Sequence, residues 1–185
     1  MKVILFSIFF VIGTFSCLQE ANLPNETDAQ EVLNYYLSRT VSPCLCNGYP
    51  LANQELDELA IGPEDSIALS TEGEFSGDEI THLIKQLKPS NSVVLDSKMI
   101  RSRRIIPIDS VRSMLNKKTL WNYLRKEYNS DGFSTISYPI FSKDKSKAII
   151  KVESYSESGS AGALYLMEKK TGKWALKEQL LMWED

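Results

Sequence analysis

The alternation of apolar and polar residues between positions 148 and 183 constrains the fold of this chain more than any other feature. In "AIIKVESY", three alternate residues lie on one face of a strand: Ala148, Ile150 and Val152. The following "SESGSAG" is typical of a flexible turn, and Thr171-Gly172 divides the next apolar-rich run as a hairpin turn does. The sequence therefore predicts three consecutive antiparallel strands, with Trp174 and Trp183 in their core or rim.

Two capping-box patterns predict helices upstream of these strands. The first pairs Thr27 with Gln30, ahead of apolar residues at helical spacing. The second pairs Ser76 with Glu79, and Pro89 is expected to end that helix. Helices are thus expected in the N-terminal and central parts of the chain.

Between the second helix and the C-terminal strands, the segments "SVVLDS" and "KMIRSRRII" are typical of two strands joined by a tight turn. The predicted fold class is α+β, with N-terminal and central helices packed on a mainly C-terminal antiparallel sheet. The cystatin-like fold and the cone-shaped sheet of the nuclear transport factor 2 type are the expected nearest folds.

The N-terminus has the pattern of an export signal. Met1 and Lys2 precede the apolar run Val3 to Ile12, which has the length of a signal-peptide core and is too short to span a bilayer as a helix. Small residues, Thr14 and Ser16, then precede Cys17. The sequence predicts a signal peptide over 1–16, a tether over 17–26 and a single α+β domain over 27–185.

The step from the apolar run through Ser16 to Cys17 resembles a bacterial lipoprotein signal, in the looser "SC" form found in Bacteroidota-type bacteria. The resemblance implies that Cys17 becomes the lipidated first residue of the mature protein. The protein would then be held on a membrane of the cell envelope, with the outer membrane expected. The alternative is a plain secreted protein with Cys17 near its mature N-terminus.

Charge is segregated along the chain, although the formal net charge is only −3. Residues 17–80 hold 13 acidic residues and one basic residue, whereas residues 81–126 hold 11 basic and two acidic residues. Complementary surfaces within the fold are one interpretation, and a basic face for a partner is the other. The densest basic cluster, here called the basic run, is the candidate partner-binding surface: Lys98, Arg101, Arg103 and Arg104. No aromatic residue is interleaved within it, so nucleic acid is not an expected partner.

Cys44 and Cys46 flank a single leucine in "SPCLCNGYP". In an oxidising compartment they predict either a strained disulfide within a turn, which would be a labile redox pair, or two thiols inside that turn. A metal site would need further ligands, and His82 is the only histidine of the chain. The sequence therefore predicts no metal and no cofactor.

The C-terminal quarter, Ser137 to Trp183, resembles a widespread type of uncharacterised Bacteroidota lipoprotein. The resemblance depends on a Pro-apolar-Phe step, an Asp, an Ala-containing strand, a Gly-rich turn and a closing "K-x-x-G-K-W". The matching positions are Pro139, Phe141, Asp144, Ala148, Gly162, Lys169, Gly172, Lys173 and Trp174. The motif describes a β-meander, and the type implies no activity.

Each of the common catalytic motifs lacks at least one of its residues in this sequence. "Gly-Ser-Ala-Gly" at 159–162 is one residue short of a nucleophile elbow and joins two predicted strands, whereas an elbow joins a strand to a helix. The expected function is therefore a lipid-anchored envelope protein that binds a protein partner or a ligand. The alternative is a small exported hydrolase or thiol-redox enzyme that uses Cys44 and Cys46 or the acidic residues of the loop: Glu55, Asp57, Glu58, Glu64 and Asp65.

Overall fold

The structure is a computed structural model that describes residues 26–40, 44–47, 73–91, 94–95, 97–101, 103–115 and 119–184. The helices of this part are α1 (Glu26–Leu37), α2 (Gly77–Asn91), α3 (Ile108–Leu115) and α4 (Leu120–Tyr123), and a π-helix (Leu124–Tyr128) continues α4. The strands are β1 (Cys44–Cys46), β2 (Arg104–Ile106), β3 (Gly132–Ile136), β4 (Ile140–Phe141), β5 (Lys147–Ser156), β6 (Gly159–Lys170) and β7 (Lys173–Glu184).

The described strands form one sheet of seven, in the order β2-β1-β3-β5-β6-β7, with β4 also paired to β5. The predicted α+β class, with a mainly C-terminal sheet, is confirmed. The sheet is mixed, because β1 runs parallel to both β2 and β3 while the other pairs are antiparallel. The predicted hairpin at Thr171-Gly172 is also confirmed, and both residues have the positive φ that a tight hairpin turn requires.

Helices cover both faces of the sheet. Ala148, Ile150 and Val152 share a core with α1, as the alternation of β5 predicts. Ile149 points to the opposite face, where it packs with Leu83 of α2. At the other end of that second face, strands β1 and β3 pack against three helical elements: α3, α4 and the π-helix. The sheet is therefore a middle layer between α1 on one side and the other helices on the second side.

Several sequence predictions are wrong in detail. In the described part of "SVVLDS" and "KMIRSRRII", only Arg104–Ile106 is a strand, and residues 97–99 form a turn. Pro89 does not end α2, which continues to Asn91. The Gly-rich turn is shorter than predicted. Gly159 already pairs with Ser156, so only two residues connect β5 to β6.

The capping box of Ser76 and Glu79 is present, with reciprocal hydrogen bonds of 3.3 Å.

The closing "K-x-x-G-K-W" of the meander holds α1 against the sheet. Lys169 and Trp174 are paired across the β6–β7 ladder, and both contact Asp28 in the first turn of α1. Lys169 Nζ lies 2.5 Å from Asp28 Oδ1, and Trp174 Nε1 donates to the same oxygen at 3.4 Å. We call this arrangement the Asp28 clasp. The pattern that gave the resemblance therefore has a structural role in this chain.

Electrostatics keep the Asp28 carboxylate charged inside the clasp. Burial raises the pKa of this carboxyl, but the hydrogen bonds from Lys169 and Trp174 and the charge of Lys169 outweigh burial, so the net pKa is lowered. A carboxyl whose pKa is lower in the folded state stabilises the fold at pH values above its ordinary pKa. That contribution is lost as the pH falls through the lowered, folded-state value.

Candidate functional site

A cavity of about 250 Å³ lies under the C-terminal end of α1, where β1, β3 and β5 meet. We call it the α1 cavity. Nine of the described residues line it: Tyr36, Leu37, Thr40, Cys44, Leu45, Arg103, Ser134, Val152 and Ser154. The wall is mainly apolar, and Arg103 is the only charged residue of the nine. Such a wall, with a few polar groups, is the usual composition of a small-molecule site.

Arg103 is positioned by the end of α1. Its guanidinium nitrogen Nη2 donates to the carbonyl oxygens of Leu37 and Thr40, which lie at and just beyond the last turn of that helix. A cation at this position also interacts favourably with the negative end of the helix dipole. Because both carbonyls belong to residues of the cavity wall, the guanidinium is held at the cavity.

Two serines place hydroxyl groups in the same wall. Ser134 of β3 and Ser154 of β5 are direct partners across the antiparallel ladder, and their Oγ atoms lie 3.1 Å apart. Ser134 is buried, whereas Ser154 is exposed and so lies at the mouth of the cavity. Sequence reasoning missed both residues. For Ser134, the available signal was a small polar residue between Phe133 and Ile136, in a strand whose last four residues are buried.

Tyr36 closes the cavity from the helix side. Burial raises the pKa of its hydroxyl, and the neighbouring Tyr165 raises that pKa further. The two rings are tilted, with centroids 5.0 Å apart. Tyr36 is therefore neutral at physiological pH.

In the structure, the residues of the basic run lie in different surroundings. Lys98 and Arg101 are exposed, whereas Arg103 enters the wall of the α1 cavity. Arg104 points away from the cavity and donates to the carbonyl oxygens of Glu127 and Tyr128 at the end of the π-helix. Its guanidinium also lies 5.2 Å from the centroid of the Tyr128 ring. The basic run does not form one face, because its two consecutive arginines contact two different helix ends. A role of the basic run in partner binding stays a prediction.

Cys44 and Cys46 form the two ends of strand β1, and the predicted turn is wrong. Both side chains are thiols, with no disulfide, and both are buried in the core under α3 and α4. The Cys44 thiol donates to the carbonyl oxygen of Gly132 at 3.2 Å. Burial raises the pKa of this thiol despite opposing contributions from Ser130 and Arg104. A raised pKa disfavours the thiolate that redox chemistry and nucleophilic attack require.

Other predicted sites fall outside the described part of the chain. This applies to Cys17 and to the acidic loop residues from Glu55 to Asp65. Among the described residues, no three His, Cys, Asp or Glu side chains come together as metal ligands would. The helices of that part include none that is long and apolar enough to cross a membrane.

No protein-family model, curated protein or solved structure matches this chain. The resemblance of the C-terminal meander to Bacteroidota lipoproteins and the comparison with the cystatin-like and nuclear transport factor 2 folds therefore stay predictions.

Proposed function

We propose that this protein is a membrane-anchored lipoprotein of the cell envelope that acts as a ligand-binding module, with the α1 cavity as its binding site. The observation that carries the proposal is the composition of the cavity wall, in which apolar side chains surround one guanidinium and several hydroxyl groups. None of the nine lining residues is acidic, and none is a histidine. The described part of the wall therefore offers groups that can bind and orient a molecule.

The thiol-redox alternative is weaker than the binding role. A redox cysteine needs access to its substrate and a stabilised thiolate. Cys44 has 0% exposure and Cys46 has 1%. Burial also raises the pKa of Cys44. The binding role needs neither access to sulfur nor a thiolate.

The anchoring part of the proposal predicts that Cys17 decides where the protein partitions. When the full chain is expressed in a bacterial host, we expect wild type in the detergent phase after phase separation and Cys17→Ala in the aqueous phase or unprocessed. A single acyl chain gives only marginal membrane binding, so the several chains of a bacterial lipoprotein are needed for stable partitioning. Equal recovery of both variants as processed, aqueous protein would contradict anchoring through Cys17.

The binding part predicts that a small neutral aromatic probe enters the α1 cavity. Titration of the host-processed protein with benzamide, followed by nuclear magnetic resonance, is expected to give a dissociation constant on the order of 1 mM. Ser154→Phe should abolish binding, because the phenyl ring is placed at the cavity mouth. Ser113→Phe is the matched control, since Ser113 is an exposed residue of α3 outside the cavity wall. Benzamide binding that survives Ser154→Phe, or its absence from wild type, would refute the α1 cavity as the site.

A further inference from the structure

We infer that the ligand of the α1 cavity is a small molecule with a single-ring apolar body and a carbonyl oxygen, which accepts a hydrogen bond from the Ser134–Ser154 pair. This inference rests on the proposed binding function and specifies the chemical class of the ligand. It follows from the volume of the cavity, from its buried apolar side chains and from a hydroxyl proton that has no partner in the described part of the chain.

The volume of the α1 cavity limits the ligand to a body of about one ring. A buried apolar cavity of about 150 Å³ in another protein holds benzene. The α1 cavity, at about 250 Å³, has room for such a ring and one small polar group. A long acyl chain or a peptide of several residues would exceed this volume.

Three buried aliphatic side chains provide the surface for the ring. Leu37 and Leu45 are 3% and 1% exposed, and Val152 is 8% exposed. Tyr36 adds an aromatic ring on the helix side of the cavity. Burial of a ligand ring against these side chains is favourable, because it removes apolar surface from water.

Four other hydrogen-bonding side chains of the described wall have partners in the protein. The Thr40 hydroxyl and the Cys44 thiol each donate to a backbone carbonyl oxygen. Arg103 donates to two backbone carbonyl oxygens, and the Tyr36 hydroxyl interacts with Tyr165. These four groups are therefore held by the protein itself, and the ligand contact requires none of them.

The Ser134–Ser154 pair has one proton more than its own hydrogen bond uses. Two hydroxyl groups carry two protons, and the hydrogen bond of 3.1 Å between the Oγ atoms takes one of them. Within the described part of the chain, neither hydroxyl makes a further hydrogen bond. Either serine can be the donor of the shared bond, so the second proton is available at the cavity in both arrangements.

A carbonyl oxygen is the acceptor that suits this proton. It brings no proton of its own, whereas the hydroxyl of an alcohol would bring one that also needs an acceptor. When Ser154 donates the shared bond, the second proton belongs to Ser134, which is only 5% exposed. A buried donor without a partner is unfavourable, and a ligand that accepts its proton removes that cost. A ligand without an acceptor leaves the donor unpaired and so binds less tightly.

The test compares acetophenone, which has a carbonyl group, with toluene, which has none, on the host-processed protein. The double variant Ser134→Ala/Ser154→Ala removes both hydroxyl groups, so we expect it to weaken acetophenone binding about 2- to 10-fold and to leave toluene binding nearly unchanged. Each single variant should lose less, because the remaining hydroxyl retains one proton. Ser156→Ala is the matched control and should change neither affinity, since Ser156 lies on the same strand as Ser154 and is not one of the described lining residues.

Infrared spectroscopy gives a readout that a purely structural role of the two serines would not change. The carbonyl stretch of bound acetophenone should lie at a lower frequency in wild type than in the double variant, because a hydrogen bond weakens the C=O bond. If the double variant does not fold, as circular dichroism would report, the wild-type stretch is compared with that of acetophenone in cyclohexane. An unshifted stretch would then overturn the inference.

The outcomes separate this inference from the proposed function. Acetophenone and toluene affinities that change alike in the double variant, with both lost in Ser154→Phe, would overturn the carbonyl inference and leave the binding function standing. A loss of acetophenone affinity in Ser156→Ala as large as that in the double variant would also overturn it. Binding of neither probe to wild type would remove the proposed function together with the inference.

Discussion

Replacement of Trp174 by alanine is expected to lower the free energy of unfolding by about 3–5 kcal/mol, the range for truncation of a buried tryptophan. The indole is 4% exposed and packs edge-on against Phe141, with ring centroids 5.6 Å apart. The substitution would leave a cavity in the core between α1 and the sheet. It would also remove the Nε1 donor to Asp28 and so weaken the Asp28 clasp. Urea denaturation followed by circular dichroism measures the change.

Two companion variants make the Trp174 prediction specific. Trp174→Phe keeps most of the apolar volume and loses the donor, so a smaller loss of about 1–2 kcal/mol is expected. Leu176→Ala changes an apolar residue of the same strand that is 44% exposed, and it should cost less than about 1 kcal/mol. A loss for Trp174→Ala no greater than that of Leu176→Ala would mean that the indole is not a core residue.

Gly132→Ala is the second substitution for which we expect a large effect. An added Cβ at this position would lie 2.3 Å from the backbone oxygen of Tyr155, in the paired strand β5. A backbone atom in a ladder cannot move aside as a flexible side chain can, so β3 and β5 would have to separate locally. We expect a loss of at least about 2 kcal/mol in the free energy of unfolding. Benzamide binding should weaken as well, because β3 and β5 carry Ser134 and Ser154.

Gly77→Ala is the control for Gly132→Ala. Gly77 begins α2, and nothing lies within 4 Å of the position that its Cβ would take. Alanine is a better helix former than glycine, so stability should be unchanged or raised by up to about 1 kcal/mol. Thermal melts of the two variants under the same conditions test the contrast. Similar stabilities for both would show that the close approach at Gly132 is not tight.

Local patterns made the C-terminal half of the fold predictable. The three strands from β5 to β7 follow one another along the chain, and alternation places Ala148 and Ile150 on the correct face. The Thr171-Gly172 turn is determined by its own two residues. Strand β1 was not predictable in the same way, because its three residues pair with Arg104–Ile106 and Leu45 also pairs with Ser134, all far away in sequence. Such long-range pairing leaves no local signal.

The candidate site shows the same division between local and long-range information. The basic run was visible in the sequence, but the separate tasks of Arg103 and Arg104 depend on which helix ends lie near each guanidinium. The cysteine pair resembled a turn because proline and glycine surround it, yet packing in the core made it a buried strand. The α1 cavity combines residues from the end of α1, from β1, β3 and β5, and from Arg103 just before β2. Only the tertiary structure brings those segments together.

The Asp28 clasp also fixes the start of α1 at a distance from the α1 cavity. It places the N-terminal end of α1 beside Lys169 and Trp174, near the β6–β7 turn, whereas the cavity lies at the other end of the helix. Twelve helical residues separate these ends by about 18 Å. If the proposed lipid is attached at Cys17, the chain would enter the described domain at the end of α1 that is remote from the cavity.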